Sequence, residues 1–182
     1  GLELVHRLDR GTSGCLLLAK TGKSRRKLTE GFRLQQIHKV YHLLVAGHWP
    51  AKVKKVSLSL QRQAERGGER LVMSDPTGKT ASTGFHVLQS YQTVTLLEAR
   101  PATGRTHQIR VHATQTGYPL LGDDKYATPA SNQLSASLNI KRLCLHAAQL
   151  EFQHPQSGEL MTISAPYDEA FTRILKQVAT RG

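Results

Sequence analysis

Between residues 54 and 100 the chain runs KKVSLSLQRQAERGGERLVMSDPTGKTASTGFHVLQSYQTVTLLEAR. Lys54–Leu60, Arg70–Ser74, Gly84–Ser90 and Thr93–Arg100 read as strands, several with the apolar-polar alternation of a half-buried ribbon. They follow one another with no helical stretch between them. Asp75-Pro76-Thr77-Gly78 has the chemistry of a tight turn and is expected to close a hairpin. Strands in direct succession predict an α+β fold built on a largely antiparallel or mixed β-sheet flanked by helices.

Outward from this block the pattern continues. Val40–Ala46 reads as another strand, and Leu2–Val5 and Gly14–Lys20 as short apolar strands on either side of the turn-rich HRLDRGTSG. Residues 24–37 read as a helix capped by Ser24, with Leu28 and Phe32 four apart on one face. Thr106–Thr116 reads as a short helix entered through Thr103-Gly104 and stopped by Gly117. Cys144–Gln153 and Leu160–Ser164 pair around Pro155-Gln156-Ser157-Gly158. Asp168 caps a last helix whose Phe171, Ile174, Leu175 and Val178 form a core-facing stripe.

The 182 residues fit one domain. The longest apolar run, Cys15 to Ala19, is far short of the roughly 20 residues that cross a bilayer, and no secretory signal opens the chain. Gly1 in place of Met suggests a fragment. Cys15 and Cys144 are the only cysteines, without CxxC spacing, which points to neither a disulfide framework nor a cysteine zinc site, and to a reducing, cytoplasmic setting. The formal charge is +12, and residues 1–70 hold 15 Lys and Arg against 5 Asp and Glu. Such a basic face suits a polyphosphate partner. With 5% aromatic residues, the chain lacks a tandem stacking platform for single strands.

Among the carboxylates, Glu65, Glu69, Asp75 and Asp168 sit where a solvated face, a turn or a helix cap explains them. Asp9 stands apart. It lies in Val5-His6-Arg7-Leu8-Asp9-Arg10-Gly11-Thr12-Ser13-Gly14, between a strand and turn residues, and guanidinium groups on either side favour a charged carboxylate suited to a nucleophile or base. The second concentration is Thr103-Gly104-Arg105-Thr106-His107-Gln108-Ile109-Arg110-Val111-His112. At a helix start, free backbone N–H groups and Arg105 are suited to a phosphate. Arg110, beside apolar Ile109 and Ala113, faces inward and so requires a carboxylate partner.

HRLDRGTSG followed about a hundred residues later by TGRTHQIRVH resembles the RluA family of pseudouridine synthases. Lys39-Val40-Tyr41-His42-Leu43-Leu44-Val45-Ala46-Gly47 is similar to that family's Lys-x-Tyr strand ending in glycine, and Leu145-His146-Ala147-Ala148 with its sequel to Pro166 extends the likeness to the C-terminus. Within the family the chain resembles the RluC type, which modifies large-subunit ribosomal RNA. The likeness implies the pseudouridine synthase catalytic fold and an isomerase that converts uridine to pseudouridine in RNA.

Carried over by position, the likeness makes Asp9 the nucleophile and Tyr41 the ring that stacks on the target base and takes its C5 proton. Arg110 becomes the partner of the catalytic carboxylate, and Arg7 the filler of the space left by the extruded nucleotide. Arg10, Lys39, Arg105, His107, Arg25 and Arg26 are expected to contact RNA, with Lys27, Lys52, Lys54 and Lys55 adding to the phosphate-binding face. The isomerisation oxidises, hydrolyses and imports nothing, so no cofactor or metal is called for. Attack at C1′, addition at C6 and a glycal route would all use the same carboxylate.

Two features depart from the family's pattern. Gly11 stands where many relatives carry an acidic or larger residue. The Asn-Lys-Pro-type strand that opens the family's catalytic domain, and the S4-type RNA-binding domain that many members carry before it, are not in the sequence. The chain is therefore expected to be a single catalytic domain, residues 1–182, truncated at its N-terminus, and to act as a monomer.

The rival readings are a synthase acting on tRNA, a non-catalytic RNA-binding module, and a metallohydrolase using His6, His107, His112 and His146. The last fits poorly. His107 and His112 are five apart, whereas a helical ligand pair falls four apart.

Overall fold

The computed structural model describes residues 1–63 and 71–180. Arg70, Glu65 and Glu69 lie outside the described residues. A large mixed sheet dominates, in the order β10-β9-β4-β8-β7-β5-β6. Its strands are β4 (His38–Ala46), β5 (Lys55–Gln63), β6 (Leu71–Ser74), β7 (Lys79–Ser90), β8 (Val94–Pro101), β9 (Leu145–Gln153) and β10 (Leu160–Ser164). All of these pairings are antiparallel. β2 (Ser13–Gly14) joins β9 in parallel, and β1 (Glu3–Leu4) with β3 (Leu18–Ala19) forms a separate two-stranded ribbon.

The core strands are apolar along most of their length because both faces are covered. In β8, Val94, Leu96, Leu97 and Ala99 are buried, and in β4 Leu43, Leu44 and Val45 are fully enclosed. One face packs Leu43, Val45, Leu97 and Leu145 against Ile109 and Ala113 of α2 (Gln108–Gln115). The other packs Leu44, Val94 and Leu96 against Phe171, Ile174 and Val178 of α4 (Glu169–Thr180). The Phe171 stripe is thus core packing, and Asp168 Oδ1 accepts the Phe171 N–H at 2.8 Å, as its capping position requires.

Several local expectations need correction. The first helix, α1, is Gly22–Arg33 and its cap is Thr21, whose hydroxyl accepts the Ser24 N–H at 3.1 Å. It ends before Ile37 because Gln35 turns left-handed (φ 59°), which lets Ile37 bury against Leu28 and Phe152. The apolar stretch 14–20 divides into β2 and β3. Asp75–Gly78 is a turn but closes no hairpin: β6 and β7 both pair with β5, at its residues 60–63 and 55–60 respectively. A further helix, α3 (Pro129–Ser137), carries a Thr128–Ser131 capping box. Its few apolar residues hid it from periodicity.

Candidate active site

The nucleophile loop is fixed by a parallel pairing that a linear reading does not reveal. β10 leaves one edge of β9 at Gln149, and β2 takes over that edge at His146 and Ala147. The Cys15 N–H donates to the Ala147 carbonyl at 2.8 Å. Only glycine fits at position 14: φ is +106° and a Cβ there would lie 2.1 Å from the Ala147 oxygen. Ser13 Oγ lies 2.8 Å from His146 Nδ1 and accepts from Arg142 Nη2 at 2.9 Å, while the same guanidinium bonds Asp168. The turn is closed by Thr12 N–H to the Asp9 carbonyl, 3.0 Å. Held on both sides, the loop presents Asp9 at the floor of the cleft.

Tyr41 reaches the same floor from the other edge of β9. The β4–β9 register shifts between Val40 and Tyr41, a bulge of the kind that redirects side chains beside active sites. Burial, then the nearby Asp9 charge, pushes the Tyr41 phenol up to about 12, so it is neutral at physiological pH.

Arg110 comes from α2 and is 3% exposed. Its Nη1 stands 3.7 Å from Asp9 Oδ2, an ion pair without a hydrogen bond. Its principal partner is Asp123, which the sequence reading missed. Nε and Nη2 donate to the two Asp123 oxygens at 2.8 and 2.6 Å, and Nη2 also reaches Asp124 at 3.2 Å. The expected Asp9–Arg110 pairing therefore exists as the weaker arm of a larger cluster. Burial opposes the Asp123 charge, but Arg110 and the backbone N–H groups of Lys125 and Tyr126 outweigh it and hold the carboxyl below its ordinary value. Gly122 sets Asp123 in place: φ is +68° and a Cβ would overlap the Arg142 carbonyl at 1.8 Å. The signal was present in Leu120-Leu121-Gly122-Asp123-Asp124. Two buried leucines lead the chain inward just before an acidic pair.

This division of bonds has a chemical consequence. Asp123 accepts both guanidinium hydrogen bonds and two backbone ones, which together occupy its lone pairs. Asp123 takes that load and Asp9 feels only the charge, so Asp9 keeps its oxygens available to a substrate.

His107 enters α2 in a left-handed conformation (φ 53°), and its Nδ1 lies 2.7 Å from the Tyr126 hydroxyl. That hydroxyl also accepts the Val72 N–H at 2.9 Å. Burial, with Arg110 and Lys125, lowers the His107 pKa although Asp9 opposes the shift. Lys39 lies half-buried at the cleft, with Nζ 3.4 Å from the Thr103 carbonyl, and burial lowers its pKa. His6 accepts the Leu17 N–H at 2.8 Å and stacks on Phe32; burial and Lys39 bring it down to about 4.

The cleft has a volume of about 480 Å³, and Arg7, Asp9, Lys39, Tyr41, Arg105 and His107 all line it. Arg10 is exposed outside the lining, as are Arg25 and Arg26 on α1, and Arg25 is paired with Glu3 at 2.8 Å. The histidines that suggested a metallohydrolase diverge, with His112 buried against Thr83 and His107 against Tyr126. Among the described residues no three His, Cys, Asp or Glu side chains are grouped to hold a metal ion, and no helix is long and apolar enough to cross a membrane.

Residues 1–115, which contain Asp9, Tyr41 and Arg110, match the sequence model of the RNA pseudouridylate synthase family. The ribosomal large subunit pseudouridine synthase C of Salmonella typhimurium is 46% identical over 96% of this chain and 56% of its own length. That of Escherichia coli is 45% identical over 97% and 56%. The chain thus spans about half the length of the curated relatives it matches. Among solved structures, human RNA pseudouridylate synthase domain containing 1 superposes with a TM-score of 0.77 at 26% identity, covering 92% of this chain and 69% of that one. Human RNA pseudouridylate synthase domain containing 4 shares the fold, with a TM-score of 0.76. With a matching family sequence, close relatives along nearly its whole length and the same mixed sheet behind the cleft, the chain belongs to the RNA pseudouridylate synthase family.

Proposed function

We propose that this chain is the catalytic part of a pseudouridine synthase that isomerises uridines in large-subunit ribosomal RNA, with Asp9 as nucleophile. The observation that carries the reading is the arrangement around Arg110. A buried guanidinium is held by Asp123 and leaves Asp9 charged but unbonded at 3.7 Å, facing a cleft that Tyr41 also lines.

A stacked uridine must leave its helix to reach Asp9. Unstacking costs a few kcal/mol, offset by stacking on Tyr41 and by infilling, the role proposed for Arg7, which is exposed and lines the cleft. On the C1′ route Asp9 bonds to C1′ as the N1–C1′ bond breaks, the uracil turns, and C5 then displaces the Asp9 carboxylate from C1′. The proton leaving C5 is matched by the one gained at N1. Tyr41, a neutral phenol at rest, accepts the C5 proton only by passing on its own in the same step. The Asp9 carboxylate, freed when C5 bonds to C1′ and already felt by Tyr41, is the acceptor. Lys39, Arg105 and His107 line the approach and offer donors to phosphate and base oxygens.

The test is to incubate the chain with large-subunit ribosomal RNA and with tRNA and to assay each for pseudouridine. Product in the ribosomal RNA, abolished in Asp9→Asn with RNA affinity retained, is the expected result. Binding without product would favour the non-catalytic module, product only in tRNA would move the substrate class, and turnover by Asp9→Asn would remove Asp9 from its role.

A further inference from the structure

A second groove of about 540 Å³ opens beside the catalytic cleft, between the β5–β6–β7 corner of the sheet and the loop that leads into α2. The two hollows share one ridge, made by Arg62, Gly104, Arg105 and Thr106. Lys79, at the start of β7, lines only the second.

The ridge is built to present positive charge in a fixed place. Arg62 donates from both Nε and Nη2 to the Thr106 hydroxyl, and Arg105 donates Nε to the Thr80 carbonyl at 3.3 Å. Both guanidinium groups are therefore oriented by neutral oxygens, and both keep N–H groups for a ligand. Among the described residues no carboxylate lines the groove and none pairs with Arg62, Arg105 or Lys79. This contrasts with Arg25, Arg33, Arg100, Arg110 and Arg142, each of which has an acidic partner. A guanidinium fork is matched by phosphate oxygens, two at a time. Among the described residues no aromatic ring lines the groove.

We propose that this groove is a phosphodiester subsite: it holds the backbone of nucleotides flanking the flipped uridine, with Arg62 and Arg105 gripping the phosphate at the ridge and Lys79 the next along the strand. The inference rests on the RNA-modifying reading of the neighbouring cleft. It goes further in giving the strand a direction of exit, over the ridge and along β7, and in predicting a hold on RNA that is indifferent to sequence.

The experiment measures binding of a fluorescent single-stranded oligouridylate to wild type, Lys79→Gln, Lys79→Arg and Arg62→Gln between about 50 mM and about 200 mM salt. Each lost phosphate contact should make the log–log salt slope shallower by about 0.7 and weaken binding severalfold at the lower salt. Lys79→Arg should restore both, and a neutral methylphosphonate backbone should cost wild type more affinity than it costs Lys79→Gln. Arg62 and Lys79 are both exposed on the strand surface, so all variants should melt close to wild type. An unchanged slope in both Gln variants would overturn the subsite. The pseudouridine assay on ribosomal RNA separates the two readings: product formed with unchanged slopes refutes the groove alone, and altered slopes without product refute the catalytic reading alone.

Discussion

Arg110 and Asp123 form a buried pair whose energetics can be worked from the structure. Arg110 is 3% exposed, and Asp123, 1% exposed, accepts four hydrogen bonds: two from the guanidinium and one each from the Lys125 and Tyr126 backbones. Asp123→Asn keeps the shape but removes the charge and turns one acceptor into a donor against Arg110. Breaking such a pair strands an uncompensated charge and costs about 3–5 kcal/mol. Arg110→Met strands Asp123 at a similar cost. If the two effects were independent they would reach about 6–10 kcal/mol, enough to unfold a domain whose whole stability is about 5–15 kcal/mol. The double variant is instead expected to lie close to either single one, with a coupling as large as one single cost, about 3–5 kcal/mol, read from urea unfolding in a double-mutant cycle. Asp9→Asn serves as the internal contrast. Its side chain is 19% exposed and 3.7 Å from Arg110 without a hydrogen bond, so it should cost less than about 1 kcal/mol. Asp123→Asn should also slow pseudouridine formation, since the freed guanidinium moves towards Asp9 and a shift of 1 Å can cost roughly 10²-fold. Additive single variants, or an Asp9→Asn variant as unstable as Asp123→Asn, would refute the division of labour between the two carboxylates.

Two further outcomes follow from the site and the core. Tyr41→Phe retains the stacking surface, worth roughly 1–3 kcal/mol per base, and should bind RNA like wild type while losing product formation; full-rate turnover would confine Tyr41 to stacking. His112 is fully buried and its pKa is lowered by desolvation from 6.5 to about 4. The unfolded chain therefore binds a proton that the folded one refuses between those values, and stability present above pH 6.5 is lost as pH falls towards 4, by at most about 3 kcal/mol. Denaturation midpoints across that window should fall for wild type and less steeply for His112→Gln; parallel slopes would exclude His112 as a source.

Sequence reading worked best where the local pattern and the tertiary demand coincide. The Phe171–Ile174–Val178 stripe and its Asp168 cap are set by neighbours within one helix, and the alternating strands by a single half-buried face. The composition of HRLDRGTSG and TGRTHQIRVH identified Asp9, Arg105, His107 and Arg110 because turn residues, charges and a helix entrance sit within a few positions of each other. Reading an inward Arg110 from Ile109 and Ala113 even required a buried carboxylate. Asp9 took that role through the family likeness, while the acidic pair at 123 gave no signal from a loop without periodicity.

Which carboxylate binds Arg110 and which stays free is set by long-range contacts. That choice depends on Gly122 passing under the Arg142 carbonyl and on Gly14 packing against Ala147, contacts between positions 20 and 133 residues apart. The bulge that aims Tyr41, the shared use of β5 by β6 and β7, and the ridge between the two grooves are likewise properties of paired strands. Side-chain type and short-range spacing were enough for most of the strands, the last helix, the basic character and the residues of the two charged motifs, but not for α3 or Asp123. Their division into a bonded Asp123 and an open Asp9 came from long-range pairing, because lone-pair availability depends on distances of tenths of an ångström that no local pattern encodes.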